Sequence, residues 1–226
     1  MFTGPNIVRD GLVLMLDATN DKSWTPGSST WYDLSGKENH AAASGGPSTQ
    51  DANTPVRNIY FDGTNDYFTV TANETSLSFK GGQTVGILMY HTFTSGRRNP
   101  WDQAYGGYGT WTHEQGGNIN YYHGTHGGNS QTYSSRNSST TPTGTWNYMV
   151  CSRDTSNVTW YKNNAQRSQG SSFGTLTNTT TTNIRIGRGY AGWWIGNMVF
   201  VHAYNRGLTA EEVEKNYNAL KARFGG

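Results

Sequence analysis

The residues best suited to chemistry crowd into one short stretch. Asn99, Trp101, Asp102, Gln103, Tyr105, Tyr108 and Trp111 lie among Gly106, Gly107 and Gly109. Sugars present apolar C–H faces and rings of hydroxyls. Flat aromatic rings cover the first, and amide and carboxylate groups hydrogen-bond the second. Glycines surrender chain entropy and pack nothing, so a cluster of them suits a sharp turn or the close approach of a partner. Aromatic side chains among them offer rigid area with few torsions to freeze. Tyr121 completes the set, and Tyr122, Trp193 and Trp194 extend it. The expectation is a contact face built on Asn99, Trp101, Asp102, Gln103, Tyr105, Trp111 and Tyr121, for a glycan or a neighbouring protein. Trp and Tyr also fill cores and protein interfaces, so Trp101 and Trp111 pointing inward is the competing reading.

Other constellations carry less. Glycoside cleavage usually needs two carboxylates flanking the bond. Outside the C-terminal segment the glutamates are Glu38, Glu74 and Glu114, and none sits in an E-x-D-x-E pattern. Glu114, beside His113 and close to Trp111, marks the one place for a sugar-cleaving cleft; no catalytic residue is expected. Gly170-Ser-Ser172-Phe-Gly174 fits a nucleophile elbow, but it lies in a Ser/Thr/Gly-rich connection with no helix after it. Gly187-Arg-Gly-Tyr-Ala-Gly192 fits G-x-G-x-x-G yet runs into Trp193-Trp194-Ile195, so it reads as a turn between strands. His113, His123 and His126 lack a third ligand at zinc spacing. Asp62, Asn65 and Asp66 place oxygens in one turn that suits calcium, although such turns form without metal. Calcium is the only cofactor left open.

Net charge is +2, from 17 basic and 15 acidic residues. Arg97–Arg98 is the only adjacent basic pair, read as a solvated loop, and no stretch is dense enough to track phosphates. Nucleic acid is therefore not an expected partner. The lone Cys151 excludes an intrachain disulfide and reads as a small core residue. The N-terminus shows no signal peptide and no run is apolar enough to span a bilayer, so synthesis in a cytoplasm without membrane insertion is expected.

What positions these residues is a β-body. Hydrophobic residues make up 33% and charged residues 14%, while aromatics reach 13%. Disorder would lack the aromatics, and many short strands with Gly- and Asn-rich turns fit best. Leu12 to Leu16 is continuously apolar, as in a strand covered on both faces. A long polar connection, 19 to 58, carries Trp24, Trp31, Tyr32 and Leu34 and is expected to pack on the sheets. Within it 41–55 is the most linker-like piece. Strands are expected at 59–61, 67–71, 84–94, 109–114, 118–123, 183–187 and 195–204. Residues 124–144 read as turn-rich and 168–182 as a connection. Residues 146–153 and 158–162 read as a hairpin, with left-handed Asn163 and Asn164 after it. Thr209 and Glu212 form a capping box for one helix over about 209–224. It would bury Val213, Tyr217, Leu220 and Phe224, with Gly225 as C-cap. Residues 1–226 are expected to form a single domain.

Several segments taken in order resemble a known family: 11–17, 31–40, 60–67, 146–150, 160–164, 186–188, 196–199 and 204–208. They resemble laminin-G-like jelly-roll domains of the concanavalin A-like superfamily over nearly the whole chain. The resemblance implies an all-β, two-sheet antiparallel sandwich with loop-end binding of carbohydrate or protein, sometimes with calcium. Residues 212–225 and 99–109 also resemble virion proteins of tailed, cyanophage-like bacteriophages. That second resemblance implies a non-catalytic structural or accessory role on the virion surface, as capsid decoration, head fibre or tail-fibre module. Its partners would be capsid or tail subunits and host-surface glycans, with homo-oligomerisation open. The alternatives are a glycan hydrolase acting on envelope polysaccharide and a free lectin-like protein.

Overall fold

Leu12 and Met15 face one core while Val13, Leu14 and Leu16 face another, which is why the run is apolar throughout. The computed structural model describes residues 6–48, 56–73, 75–77, 79, 81–103, 108–123, 132–136, 140–170 and 182–221. In chain order the strands are β1 Leu12–Asp17, β2 Thr30–Trp31, β3 Ala41–Ser44, β4 Ile59–Asp62 and β5 Tyr67–Val70. Then come β6 Gln83–His91, β7 Arg98–Gln103, β8 Tyr108–His113, β9 Ile119–His123 and β10 Thr132–Arg136. The last are β11 Trp146–Arg153, β12 Val158–Lys162, β13 Ala165–Gly170, β14 Ile184–Ile186 and β15 Ile195–Tyr204, followed by helix α1, Ala210–Leu220.

One sheet runs β1-β15-β6-β11-β12-β13, with β4 also on β15. The other runs β10-β9-β8-β7-β14-β5-β3-β2. The pairings are antiparallel. Between the sheets lies the main core, which takes Val13, Leu14, Leu16, Ile87, Met149 and Cys151 from the first sheet. The second core lies on the first sheet's far side, where Leu12, Met15, Leu88 and Val150 meet Ile7, Val8, Val213 and Leu220. The first sheet is thus covered on both faces. This is the expected all-β sandwich with one C-terminal helix.

The long early connection packs as expected. Trp24 and Trp31 are fully buried and both pack against Phe68, at 5.5 and 5.3 Å between ring centroids. Its linker-like piece is corrected in part: 41–44 is strand β3, paired with β2 and β5. Ala-rich sequence has weak β propensity, and pairing on both sides overrides it. Residues 49–55 lie outside the described set. Within the supposedly turn-rich 124–144, residues 132–136 form β10, and 165–170 form β13 on β12.

β7 also escaped the sequence reading. It carries Pro100, which a central strand tolerates at a bulge. The β7–β8 register does shift between Arg98 and Trp101, and the Pro100 carbonyl still accepts the Gly187 N–H at 3.0 Å. Arg98 therefore opens a strand rather than sitting in a solvated loop.

The hairpin β11–β12 and positive φ at Asn163 (47°) and Asn164 (69°) match expectation. So does the capping box at Thr209 and Glu212. Val213 and Leu220 are buried, and Tyr217 packs at the margin of the second core. Phe224 and Gly225 lie outside the described residues.

Asn216 was missed on that face and is fully buried. Its Oδ1 accepts the Val8 N–H (2.8 Å), its Nδ2 donates to the Tyr204 hydroxyl (3.0 Å), and that hydroxyl donates to the Val8 carbonyl (2.9 Å). The triangle ties the N-terminal segment, β15 and α1 together. No described helix is long and apolar enough to cross a membrane.

Candidate functional site

Trp101, Trp111 and Tyr121 are register partners on β7, β8 and β9. Cross-strand partners share a face, and here it is the inner one. All three are at most 1% exposed, and the Trp111 ring lies 4.7 Å from that of Trp160 on the opposite sheet. The expected contact face is therefore corrected. These aromatics are a ladder filling the gap between the sheets. Tyr105 lies outside the described residues.

The polar members of that cluster are buried too. Asn99 donates to the Trp111 carbonyl (2.7 Å) and to Thr112 Oγ1 (3.0 Å), while its Oδ1 accepts the Ala191 N–H (2.7 Å). It staples the 187–193 turn over β7 and β8. Gly189 lies so close to the Asn99 side chain that a Cβ would overlap it. Asp102 accepts from Thr110 Oγ1 at 3.2 Å and is 3% exposed, and burial pushes its carboxyl up to about 6. Gln103 is 1% exposed, with its backbone N–H on Thr110 Oγ1. A sugar does not reach these groups in this structure.

The proposed calcium turn uses its oxygens locally. Asp62 Oδ1 accepts the N–H groups of Thr64 (2.7 Å) and Asn65 (3.3 Å), and Asp66 Oδ2 accepts that of Asp62 (3.1 Å). Burial raises the Asp66 carboxyl pKa, the Asp62 N–H that it accepts works against the rise, and the Asp62 charge adds to it. A calcium ion would have to displace these bonds or share their acceptors. No group of three or more His, Cys, Asp or Glu among the described residues could hold a metal.

Glu114 is engaged as an anion. Arg97 grips it through Nε (2.8 Å) and Nη2 (3.1 Å), and Tyr122 and Asn120 donate at 2.7 and 3.2 Å. Burial raises its pKa, but these donors outweigh burial and hold it below the usual value. His113 beside it faces inward toward His91, 4.7 Å between centroids, and burial lowers it to about 4. The side chains of His123 and His126, and Ser172, lie outside the described residues.

The G-x-G-x-x-G stretch is a turn, as expected. Gly187 has φ 87°, Arg188 bridges to Trp193, and the Trp194 N–H returns to the Gly187 carbonyl at 2.8 Å. Alternation then sends Trp194 into the core and Trp193 outward. The Arg188 guanidinium sits 4.5 Å from the Trp193 ring centroid and 5.0 Å from that of Tyr67. Those rings meet edge-on at 5.5 Å. All three residues are half-buried, and Tyr190 at the tip of the turn is 70% exposed.

Tyr67 heads an outward-facing row. Phe68 and Val70 point into the core, so Tyr67 and Thr69 point out. Thr69 pairs Ala42 on one side and Arg185 on the other, and Arg185 pairs Asp102. Ser44 pairs Tyr67. Hydrogen bonding from Ser44, then Arg188, lowers the Tyr67 pKa. Ser44 also lines an open groove of about 450 Å³ formed by residues 27–29 and 43–48. Groove and aromatic–arginine cluster thus adjoin where Ser44 pairs with Tyr67. The arrangement offers aromatic faces, a cation, and a wall rich in hydroxyls and backbone groups. Of its members, the sequence pointed to Trp193 alone as a contact residue, and Arg188 only as part of the 187–192 turn. The available signal was the adjacent Trp pair on a short strand approach, where one must face out.

No curated protein matches the chain in sequence. Among solved structures, the binding domain of botulinum neurotoxin DC with rat synaptotagmin II aligns with TM-score 0.72 at 11% identity, covering 94% of this chain and 52% of that one. The binding domain of Paraclostridial Mosquitocidal Protein 1 aligns with TM-score 0.70 at 17% identity, covering 93% and 52%. The chain spans about half the length of these structures, and at such identity they share its fold. Residues 62–214 match the model of the Laminin_G_3 family, and the chain belongs to that family, within the concanavalin A-like lectin/glucanases superfamily.

Proposed function

We propose that this domain is a non-catalytic adhesion module that holds glycans on the outer side of its second sheet. The observation that carries the reading is the Tyr67–Arg188–Trp193 cluster, half-exposed beside the Ser44-lined groove. A pyranose would lay its apolar face on Trp193 or Tyr190 and direct its hydroxyls to the groove. Solved structures of the same fold include a botulinum neurotoxin DC binding domain in complex with SialylT, which supports a sugar ligand. The non-catalytic reading draws on Glu114 and Asp102. Glu114 is tied into an ion pair with Arg97, and Asp102 bonds Thr110, which stands four residues before Glu114 along the strand and its extension. At about 3.4 Å per residue that spacing along the strand is roughly 14 Å, whereas paired glycosidase carboxylates stand about 5–9.5 Å apart.

The phage-like character of 212–225 and 99–109 supports a place on a virion surface, adhering to host glycans or to neighbouring capsid or tail subunits. Mass spectrometry of purified particles tests that placement. The binding claim is tested on a glycan array with wild type, Trp193→Ala and Tyr67→Ala, each checked for a native melt. Wild type should bind a defined glycan subset, and both variants should lose about tenfold or more in affinity. Absence of binding by the wild type, or undiminished binding by both variants, would overturn the reading.

A further inference from the structure

Resting on the glycan-binding reading, we propose that the site selects acidic sugars, with Arg188 and Arg185 recognising an anionic group on the pyranose. Among the described residues the ion pairs engage Arg57, Arg97 and Arg206. Arg185 and Arg188 form none, although both sit on the face that carries the cluster. Arg185 is exposed, in register between Thr69 and Asp102. Asp102 lies near enough for both arginines to act on it electrostatically, yet its described side-chain partner is Thr110. Burial raises that carboxyl to about 6, which still leaves it mostly ionised at neutral pH. One buried carboxylate, already accepting from Thr110, balances at most one of the two guanidinium groups, so the local field is left positive.

Geometry adds the specificity. Trp193 and Tyr67 both pack on the Arg188 guanidinium. Stacking restrains its plane while leaving its edge N–H groups to donate, and a held fork loses less entropy on binding an anion. A carboxylate or sulfate ester presents two oxygens to such a fork. An acidic substituent on a sugar would reach Arg188 while the ring rests on Trp193 and hydroxyls meet Ser44. A neutral sugar would leave both cations hydrated and gain little from them.

The test is calorimetry with three probes: trigalacturonate, the neutral galactose trimer of the same linkage, and that trimer carrying 6-sulfates. Wild type should bind at least one acidic probe about ten- to a hundredfold more tightly than the neutral one. The carboxylate and sulfate arms separate the two sources of charge, and the preference should weaken as salt rises. Arg188→Gln and Arg185→Gln, with unchanged melting, should remove the preference, and Arg188→Lys should restore only part of it because it lacks the fork. Trp193→Ala should weaken all three probes. Equal affinity for neutral and acidic probes, or a preference that survives both glutamine variants, overturns the acidic selectivity. Trp193-dependent binding in the same data would leave the glycan reading standing. Failure of the wild type to bind any of the three removes the selectivity claim, and the glycan array then decides the broader reading by itself.

Discussion

The imidazole of His202 on β15 fills the space that a side chain at Gly86 on β6 would occupy. The two are register partners at the centre of the first sheet, and a Cβ on Gly86 would overlap His202 Nε2. That nitrogen shares a 2.6 Å hydrogen bond with the Tyr148 hydroxyl, and Phe200 and Tyr204 flank the ring at 5.3 Å. Gly86 does not have positive φ, so only space forbids a side chain there. Gly86→Ala should cost about 1–3 kcal/mol through overpacking. Combined with His202→Ala the cost should be less than additive, because one change empties the volume the other fills. Urea unfolding of the four proteins of that cycle measures the coupling. Simple additivity would show that the two positions do not compete for space.

Acid should destabilise the fold from about pH 6.5 downward. Burial lowers His202 to about 3 and His113 to about 4, and burial also lowers His91. In the unfolded chain histidine titrates near 6.5. Below that pH the unfolded chain binds more protons than the native one, so stability present above 6.5 is lost as pH falls toward 4. Glu114, held below its usual pKa by Arg97 and Tyr122 against the pull of burial, acts in the same direction at lower pH. Asp102 acts oppositely: raised from 3.8 to about 6, it favours the native state as pH falls through that window. Three histidines against the raised carboxyls of Asp102 and Asp66 should leave a net loss on the order of a few kcal/mol by pH 4. Unfolding free energy measured from pH 7.5 to 4 should decline, and a flat profile would contradict the neutral burial of these rings.

Asn216→Ala should destabilise more than its size suggests. The change strands the Val8 N–H, and the Tyr204 hydroxyl loses a donor, in a fully buried setting. Leaving such a group unsatisfied costs about 1–3 kcal/mol. Leu220→Ala, one turn on and fully buried, should cost about 2–5 kcal/mol through its cavity. Thermal melts of the two variants check this, and an unchanged melt for either would mean that α1 is not docked as described.

The fold was legible where pattern carried physics. The double-sided burial of β1 appears in its unbroken apolar run, and the capping box names the start of α1. β7, β3, β10 and β13 were hidden because proline, alanine and polar residues form strands there only through their neighbours. The site was misread for a related reason. Trp101, Asp102 and Trp111 are the right residue types for sugar contact, and only pairing register tells whether they face in or out. Trp193 and Trp194 resemble each other in sequence, while the core takes one and solvent the other. Arg188 and Tyr67, 121 residues apart, had no signal that would bring them together.

The most direct measurement follows the indole N–H resonances of 15N-tryptophan-labelled protein during titration with a glycan selected on the array. Of the eight tryptophans, Trp24, Trp31, Trp101, Trp111, Trp160 and Trp194 are fully buried. Trp193 is the one placed in the proposed site. Its resonance should shift saturably with the glycan, while those of Trp101 and Trp111 stay in place. Binding that moves Trp101 and Trp111 and leaves Trp193 unshifted would contradict the site.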